Sequence, residues 1–339
     1  MHMRMYERYL ARHFELIVTE RQGDHVVAGE LRARDGSMTA PVRNHIPRFG
    51  DNAYCESFAF QWERFTNLQH DSVLKDNSCR QRIQDCTHWP LDEIAGRSLI
   101  ECGCGPGRFT ETFLSLGLDV VAVDMSDAVD VNLRNSGLRD NLLLIQADAT
   151  SLAFLHGMFD LVFCYGVLQH TPDPRATFHK LVRYLRPGGC ISIDVYRKFY
   201  TPNPWALPKY IWRPLAKRLR HETLLKILRW YIPRYIDFDT RLRANKKHGD
   251  LMVALIPIPC WNYLDPSRPR EERIEHAILA TFDALSPAHD HPLTLNETRA
   301  MFRASSLLTD IRVEYGANGV VGNARRAEEQ RPAAGAAGV

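Results

Sequence analysis

The stretch that decides the fold runs from Leu99 to Thr110 and reads Leu-Ile-Glu-Cys-Gly-Cys-Gly-Pro-Gly-Arg-Phe-Thr. A short apolar run leads into glycines at alternate positions, Gly103, Gly105 and Gly107, and then into residues with helical character. Glycine permits the positive φ angles of a tight turn and lets a ligand approach the backbone closely. The stretch therefore predicts a strand, a glycine loop and a helix that together form a nucleotide-type site.

Three acidic residues near this loop indicate which kind of nucleotide it holds. The dinucleotide fingerprint G-x-G-x-x-G would need its third glycine at position 108, which is Arg108 here. The pattern is instead acid-x-G-x-G-x-G, beginning at Glu101, and Asp124 closes the next apolar run. An acid at the tip of the second strand is placed to accept both ribose hydroxyls of an adenosine. A third acid, Asp148, ends the following apolar run.

Strands and helices alternate from Leu99 to Asp194, and this alternation predicts an α/β fold with a doubly wound, Rossmann-like, mostly parallel sheet. The fourth strand of this sheet is predicted at 159–164, a helix at 175–185 and the fifth strand at 190–196. Ligands bind at the carboxyl ends of such strands. The residues after the fourth strand, 165–172, should therefore border the reacting group.

This region resembles the class I S-adenosylmethionine-dependent methyltransferases, in particular the methyltransferase type 11 group. The resemblance rests on five motifs in the family's order: Glu101 to Gly107, Val120 to Asp124, Gln146 to Ala149, Phe159 to His170 and Leu185 to Asp194. It implies S-adenosylmethionine as the cofactor. By resemblance, the glycine loop packs against its methionyl and ribose parts, Asp124 takes the ribose diol, and Asp148 with the backbone of Ala149 reads the adenine. The cofactor-binding residues implied are Glu101, Cys102, Gly103, Gly105, Gly107, Asp124, Met125, Asp148, Ala149 and Tyr165.

Methyl transfer is an in-line displacement, so the enzyme mainly aligns the nucleophile and excludes water. A hydroxyl or activated-carbon acceptor gains from a general base. His170 and Tyr165 are the best-placed candidates, although histidine at this position also merely lines the cofactor pocket in related enzymes. Residues expected to contact the acceptor are Gln169, Tyr196, Trp62 and His289.

The acceptor is expected to be a small molecule of natural-product, glycan or lipid type, methylated at O, N or C, as in secondary metabolism. Two other function classes stay open. A nicotinamide-dependent oxidoreductase is disfavoured by Arg108, and a non-catalytic adaptor that keeps cofactor binding would show no turnover. Binding of S-adenosylmethionine or NAD, and slow formation of S-adenosylhomocysteine, discriminate among the three.

The composition bounds these functions further. The chain has 339 residues, 45% hydrophobic content and a formal charge of +3, too small to imply a nucleic-acid partner. Thirty-five arginines against eight lysines suggest a bacterial source. The eight cysteines form no C-x-x-C pair, and the longest uncharged run, Leu251 to Leu264, is too short to span a bilayer. A cytoplasmic protein without a bound metal or transmembrane segment is expected.

Residues 1–50 read as a small β segment that resembles a degenerate zinc ribbon. No cysteine precedes Cys55, so no zinc is expected there. Residues 51–90 read as lid helices ahead of the cofactor-binding core at 91–196. Within 51–90, four aromatic residues recur at helical spacing and suit either core packing or a lid: Tyr54, Phe58, Trp62 and Phe65.

Residues 197–292 interrupt the alternation and are predicted to form a helical insertion, or cap, over the substrate pocket. The stretch from Trp205 to Ile236 carries eight basic residues and one acid, interleaved with aromatic residues. It suits either an anionic or lipid-associated partner, or a cap helix with a solvated basic face whose apolar side includes Leu215. The triplet His289-Asp290-His291 invites a metal site, but adjacent loop residues rarely converge on one ion. A helix and strand pair at 293–322 should complete the sheet, and 323–339 read as a disordered tail.

Overall fold

The computed structural model describes residues 1–50, 60, 61, 64, 77–199, 203–245 and 247–328. The strands in these ranges are β1 (Phe14–Gln22), β2 (His25–Ala33), β3 (Thr39–Arg43), β4 (Ile46–Phe49), β5 (Ser98–Cys102), β6 (Asp119–Asp124), β7 (Leu142–Ala147), β8 (Phe159–Cys164), β9 (Leu185–Val195), β10 (Leu308–Gly316) and β11 (Gly319–Arg326). The helices there are α1 (Met3–Tyr9), α2 (Ser78–Thr87), α3 (Arg108–Ser115), α4 (Ala128–Ser136), α5 (Pro174–Val182), α6 (Leu207–Ala216), α7 (His221–Ala244), α8 (Gly249–Leu255), α9 (Arg270–Leu285) and α10 (Leu295–Arg303).

The strands form one sheet in the order β1-β2-β3-β4-β7-β6-β5-β8-β9-β11-β10. Its centre, from β4 to β9, is parallel, whereas β11 pairs antiparallel with β9 and β10 antiparallel with β11. Apolar residues on the two sides of the central strands belong to two separate core clusters. Such continuous apolar runs are typical of parallel strands covered on both faces. The predicted α/β, doubly wound, mostly parallel fold is confirmed.

The N-terminal β segment is an extension of the main sheet. Strands β1 to β4 form an antiparallel meander, and β4 then pairs in parallel with β7. Ion pairs link the segment to the core, because Arg4 and Arg8 both contact Asp119 and Arg48 lies 2.9 Å from Asp130. The small β segment, expected to resemble a degenerate zinc ribbon, thus consists of strands that share hydrogen bonds and ion pairs with the core.

Three predicted boundaries are wrong. Helix α5 ends at Val182 rather than at 185, and β9 begins at Leu185, so Pro187-Gly188-Gly189 lies inside the strand. A register shift in β8 between Phe159 and Leu161 accommodates this irregular stretch. The predicted start of the disordered tail, at residue 323, is too early. Strand β11 stays paired with β9 to Arg325 and ends at Arg326. Cross-strand pairing, which is non-local, orders these residues.

The cap consists of α6 to α9 and has a third apolar core of its own, built mainly from α7 and α9. The basic stretch belongs to two helices, because the first helix ends at Ala216 and the second begins at His221. Leu215, expected on the buried side, is 53% exposed, whereas the basic Arg213 is buried. The predicted aromatic helix lies outside the described residues, but Phe60 is described and stacks on Phe282 of the cap core.

Candidate functional site

A cavity of about 810 Å³ lies between the carboxyl ends of the parallel strands and the cap. Residues at or just after the ends of five central strands line it: Cys102, Asp124, Ala147, Cys164 and Tyr196. Cap residues close the opposite side, among them Lys209, Tyr210, Trp261, Tyr263 and Asp283. The cavity is therefore at the place where open parallel sheets bind ligands.

The glycine loop forms the floor of the cavity. Gly103, Gly105 and Gly107 have φ angles of +77°, +50° and +96°, which favour glycine. The Gly103 N–H donates to the carbonyl oxygen of Val123 at 2.7 Å and fixes the loop to β6. Gly103 and Gly105 line the cavity, but Gly107 does not, because it faces Asn132, whose side chain an added Cβ would meet at 2.5 Å. Gly107 therefore permits close packing of the loop against Asn132, and its contact with the cofactor stays a prediction.

Asp124 ties the loop to the strand end beside it. Its carboxylate accepts hydrogen bonds from the Gly105 N–H at 2.8 Å and from the N–H and hydroxyl of Ser126 at 2.9 and 2.7 Å. Burial raises the pKa of Asp124, and these hydrogen bonds act against that shift. Asp124 lines the cavity, as do the other predicted cofactor contacts Cys102, Met125, Asp148 and Ala149.

Glu101 does not reach the cavity lining. Its side chain is buried beneath the loop, where it accepts a 2.6 Å hydrogen bond from the Thr110 hydroxyl of α3. Thr110 in turn accepts from the amide of Asn132 on α4 at 2.9 Å. Burial raises the pKa of Glu101 to about 8. Glu101 therefore supports the loop from below, and its contact with the cofactor stays a prediction.

His170 lines the cavity at the end of a short helical turn after β8. Its Nδ1 lies 3.0 Å from the main-chain oxygen of His289, and its ring packs edge-on against Tyr196 at 5.4 Å. A carbonyl oxygen can only accept, so Nδ1 carries the proton in the neutral ring and Nε2 has the basic lone pair. Burial lowers the pKa of His170, which favours this neutral form.

Tyr165, the other candidate base, is held in a buried polar network. Its hydroxyl lies 2.8 Å from the Ser192 hydroxyl of β9, and burial raises its pKa well above the ordinary value. Asp194 accepts from the Gly166 N–H at 2.5 Å and from Arg82 of α2. This network fixes the Tyr165 ring in the cavity wall.

Of the predicted acceptor contacts, only Tyr196 lines the cavity within the described residues. Gln169 is fully buried outside the cavity lining, and His289 contributes its main-chain oxygen to His170 rather than its side chain to the cavity. Contact of Gln169 and His289 with an acceptor stays a prediction. Trp62 lies outside the described residues.

Three polar cap residues at the cavity are not among the site residues predicted from the sequence. Asp283 of α9 accepts a 3.0 Å hydrogen bond from the Tyr196 hydroxyl. Lys209 of α6 is buried, forms a 2.8 Å ion pair with Asp290 and lies 4.9 Å from the centre of the Tyr196 ring. His276 of α9 also lines the cavity, and burial lowers its pKa to about 4. No local motif marks any of the three residues.

The triplet 289–291 is used for packing. Asp290 pairs with Lys209, and the His291 N–H donates to the Gln169 carbonyl oxygen at 2.8 Å. Across the described parts of the chain, no cluster of three or more histidine, cysteine or acidic side chains is arranged to hold a metal ion. A search of the same residues finds no helix with the length and apolar character needed to cross a membrane.

Comparison with known proteins finds similarity to a known family at this site. Residues 100–193 match the family described as Methyltransferase domain. A ubiquinone biosynthesis O-methyltransferase of Xanthomonas oryzae pv. oryzae (strain PXO99A) is 31% identical over 136 residues, which cover 38% of this chain and 56% of that protein. The protein of the same name from Methylococcus capsulatus is 33% identical over 109 residues, covering 31% and 46%. This chain thus spans about half the length of these curated relatives.

Solved structures were compared in the same way. A putative S-adenosyl-L-methionine-dependent methyltransferase from Methanococcus maripaludis has 14% identity and a TM-score of 0.42, covering 83% of this chain and 96% of that one. Human N-acetylserotonin methyltransferase in complex with SAM has 12% identity and a TM-score of 0.46, covering 80% and 57%. The family match coincides with the strands and loops that form the cavity floor. Residues 100–193, which include the glycine loop, are therefore similar to a methyltransferase domain.

Proposed function

We propose that this protein transfers a methyl group from S-adenosylmethionine to a small-molecule acceptor held beneath the cap. The observation that carries the proposal is one continuous cavity that joins the glycine loop and Asp124 to His170 and Tyr196. Its volume of about 810 Å³ is in the range of roughly 300 to 1,000 Å³ typical of small-molecule sites. A cofactor and an acceptor side by side need such a shared space.

The residues on the floor suit the cofactor. When bound, S-adenosylmethionine supplies an electrophilic methyl group on a sulfonium. The left-handed turn at Gly103 and Gly105 leaves the loop surface open, and Asp124 keeps acceptor capacity for a ribose diol beside it. Asp148 and Ala149 at the end of β7 would border the adenine. The cap covers these residues and restricts water at the reacting centre.

His170 is proposed as the general base. Its Nε2 has the lone pair, because the His289 carbonyl oxygen holds the proton on Nδ1. A hydroxyl acceptor would give its proton to Nε2 as the oxygen attacks. Tyr165 is proposed as a wall residue, because its hydroxyl is engaged by Ser192 and its raised pKa disfavours the phenolate.

The cap side of the cavity suits an acceptor with an apolar or aromatic body. Aromatic side chains surround it, including Phe199, Trp205, Trp261 and Tyr263. Polar groups are grouped near His170, namely the Tyr196 hydroxyl and the Asp283 carboxylate at 3.0 Å from each other. The relatives are named ubiquinone biosynthesis O-methyltransferases. We therefore favour an oxygen acceptor of lipid or aromatic type, and an anionic acceptor is the alternative.

Calorimetry and a turnover assay test this proposal. The wild-type protein should bind S-adenosylmethionine and form S-adenosylhomocysteine with phenolic acceptors carrying apolar substituents. His170→Gln should keep cofactor affinity and lose turnover, by roughly a hundredfold or more. Cofactor binding without turnover on any acceptor would favour an adaptor, and binding of NAD instead would favour an oxidoreductase.

A further inference from the structure

We propose that the outer face of the cap binds the surface of an anionic membrane. This inference concerns a surface outside the cavity, and it stands apart from the proposed methyl transfer because binding is measured without cofactor or acceptor. It depends on three features of the cap: an apolar face turned towards solvent, an excess of positive charge and a position beside the cavity.

The first feature is an apolar face turned towards solvent. The cap apolar face consists of six large side chains on α6 and around α8, each between 41% and 68% exposed: Ile211, Trp212, Leu215, Leu251, Leu255 and Ile256. The Trp212 indole N–H donates to the Pro257 carbonyl oxygen at 2.7 Å and joins the two parts. Contiguous exposed apolar surface of this kind marks interaction sites in soluble proteins.

Helix α6 reverses the usual arrangement of an amphipathic surface helix. Its charged side chains Lys209 and Arg213 are both 8% exposed and face the protein. Lys209 pairs with Asp290, and Arg213 donates to the Pro287 carbonyl oxygen at 2.6 Å. The opposite side carries exposed apolar residues of the cap apolar face. A helix that turns its cations inward and its tryptophan and leucine outward matches an apolar environment on the outside.

The second feature is charge, which decides what kind of surface fits. Residues 203–256 contain twelve lysines and arginines against four acids, a net charge of +8 in a chain whose total is +3. Lys217 and Arg218 follow α6 directly, are exposed and have no ion pair among the described residues. Basic side chains beside exposed tryptophan and leucine are the combination that binds anionic lipid headgroups and the acyl boundary together. A second copy would instead bring two positive surfaces together.

The third feature is the position of the cap apolar face relative to the cavity. Tyr210 lies on α6 between Lys209 and Ile211, is 49% exposed and lines the cavity. Trp205, just before α6, also lines the cavity. A membrane on the cap apolar face would therefore lie next to one wall of the cavity, within reach of an acceptor that partitions into lipid.

Vesicle co-sedimentation with the full chain tests the proposal. Wild-type protein should sediment with phosphatidylcholine vesicles that contain phosphatidylglycerol, and added salt should weaken this binding. Pure phosphatidylcholine vesicles should bind it far less. Leu251→Glu with Leu255→Glu should weaken binding by roughly tenfold or more, because two apolar side chains leave the interface. Lys217→Glu with Arg218→Glu should remove the salt-dependent part of the binding to anionic vesicles.

Met38→Glu is the matched control, because Met38 is also a 40% exposed apolar residue but lies before β3, in the N-terminal segment. It should bind vesicles as the wild type does. Circular dichroism and turnover of a water-soluble acceptor should be unchanged in the leucine variant, which separates this proposal from the proposed function. Failure of the wild-type protein to bind anionic vesicles would overturn the membrane-binding proposal. So would a leucine variant that binds normally, or a wild-type dimer that Leu255→Glu dissociates.

Discussion

The carboxyl groups of Glu101 and Asp124, on the neighbouring strands β5 and β6, have different surroundings. Glu101 is buried under the loop and has a pKa of about 8, while Asp124 is part-exposed at the cavity and accepts three hydrogen bonds. Burial raises the pKa of both, but only Asp124 has several donors around it to stabilise its charge. The sequence pattern treats both as site acids, since spacing cannot tell a buried side chain from a cavity-lining one.

Asp124→Asn tests the role of this carboxylate in cofactor binding. We expect the affinity for S-adenosylmethionine to fall by roughly tenfold or more, because a charge-assisted hydrogen bond contributes about 1.5 to 3 kcal/mol. Isothermal titration calorimetry measures the dissociation constant. Asp140→Asn, at an exposed acid after α4, is the control and should bind the cofactor normally. Equal affinities for both variants would show that Asp124 does not contact the cofactor.

Glu101→Gln tests the buried acid through stability. In the unfolded chain Glu101 loses its proton near the ordinary pKa of 4.5, but in the folded protein only near 8. Unfolding between these values therefore releases a proton, and stability falls as pH rises from about 4.5 to 8. The glutamine variant removes this loss, so its melting temperature relative to wild type should increase from pH 5 to pH 8. Glu7→Gln, at an exposed side chain, should show no such trend.

At the scale of elements, the loop at 287–291 connects the cap to His170. Helix α6 holds this loop through the Lys209–Asp290 ion pair and through Arg213, and the loop in turn supplies the His289 oxygen that sets the His170 tautomer. Lys209 and Asp290 are 81 residues apart in sequence, Arg213 and Pro287 are 74 apart, and His170 and His289 are 119 apart. Their pairing depends on how the cap packs, so no pattern within α6 predicts it.

Lys209→Met tests this connection as a positioning effect. The positive charge of Lys209 helps to lower the pKa of His170, and the variant also leaves the acid Asp290 without that cation. Both changes raise the pKa of His170. Because the neutral ring is the base, the acid limb of the kcat profile should move to higher pH in the variant. Lys226→Met, at an exposed cap residue, should leave the limb in place, and an unshifted limb in Lys209→Met would contradict the connection.

The elements that the sequence predicts well are those whose signal is local. The glycine loop and the strands that end at Asp124 and just before Asp148 depend on residues close in sequence, and the described residues have them. The exposure of Leu215 on α6 and the Asp283–Tyr196 contact depend instead on packing between distant segments. Helical spacing predicts that a helix has an apolar face, but it does not predict whether that face is buried or exposed.

At the scale of the whole molecule, the N-terminal segment and the methyltransferase domain share one sheet and one apolar core. Residues from β1 to β4, such as Phe14 and Val42, lie in the same core cluster as Ile145 of β7. The segment also covers the edge of β7, which β4 pairs in parallel. An open edge of this kind promotes association between chains. We therefore expect the segment to fold as one cooperative unit with the domain.

Arg4→Ala with Arg8→Ala tests this coupling. Both arginines contact the Asp119 carboxylate, which is 4% exposed at the first residue of β6, so their loss leaves a buried charge without its partners. Because the arginines themselves are 49% and 39% exposed, solvent screening reduces the effect, and we expect a loss of about 1 to 3 kcal/mol in the free energy of unfolding. Urea denaturation followed by tryptophan fluorescence measures it, with the exposed Arg12→Ala as control.

If segment and domain fold as one unit, the midpoint shifts while a single transition remains. Two separate transitions, or an unchanged midpoint, would mean that the segment folds independently of the sheet that it extends.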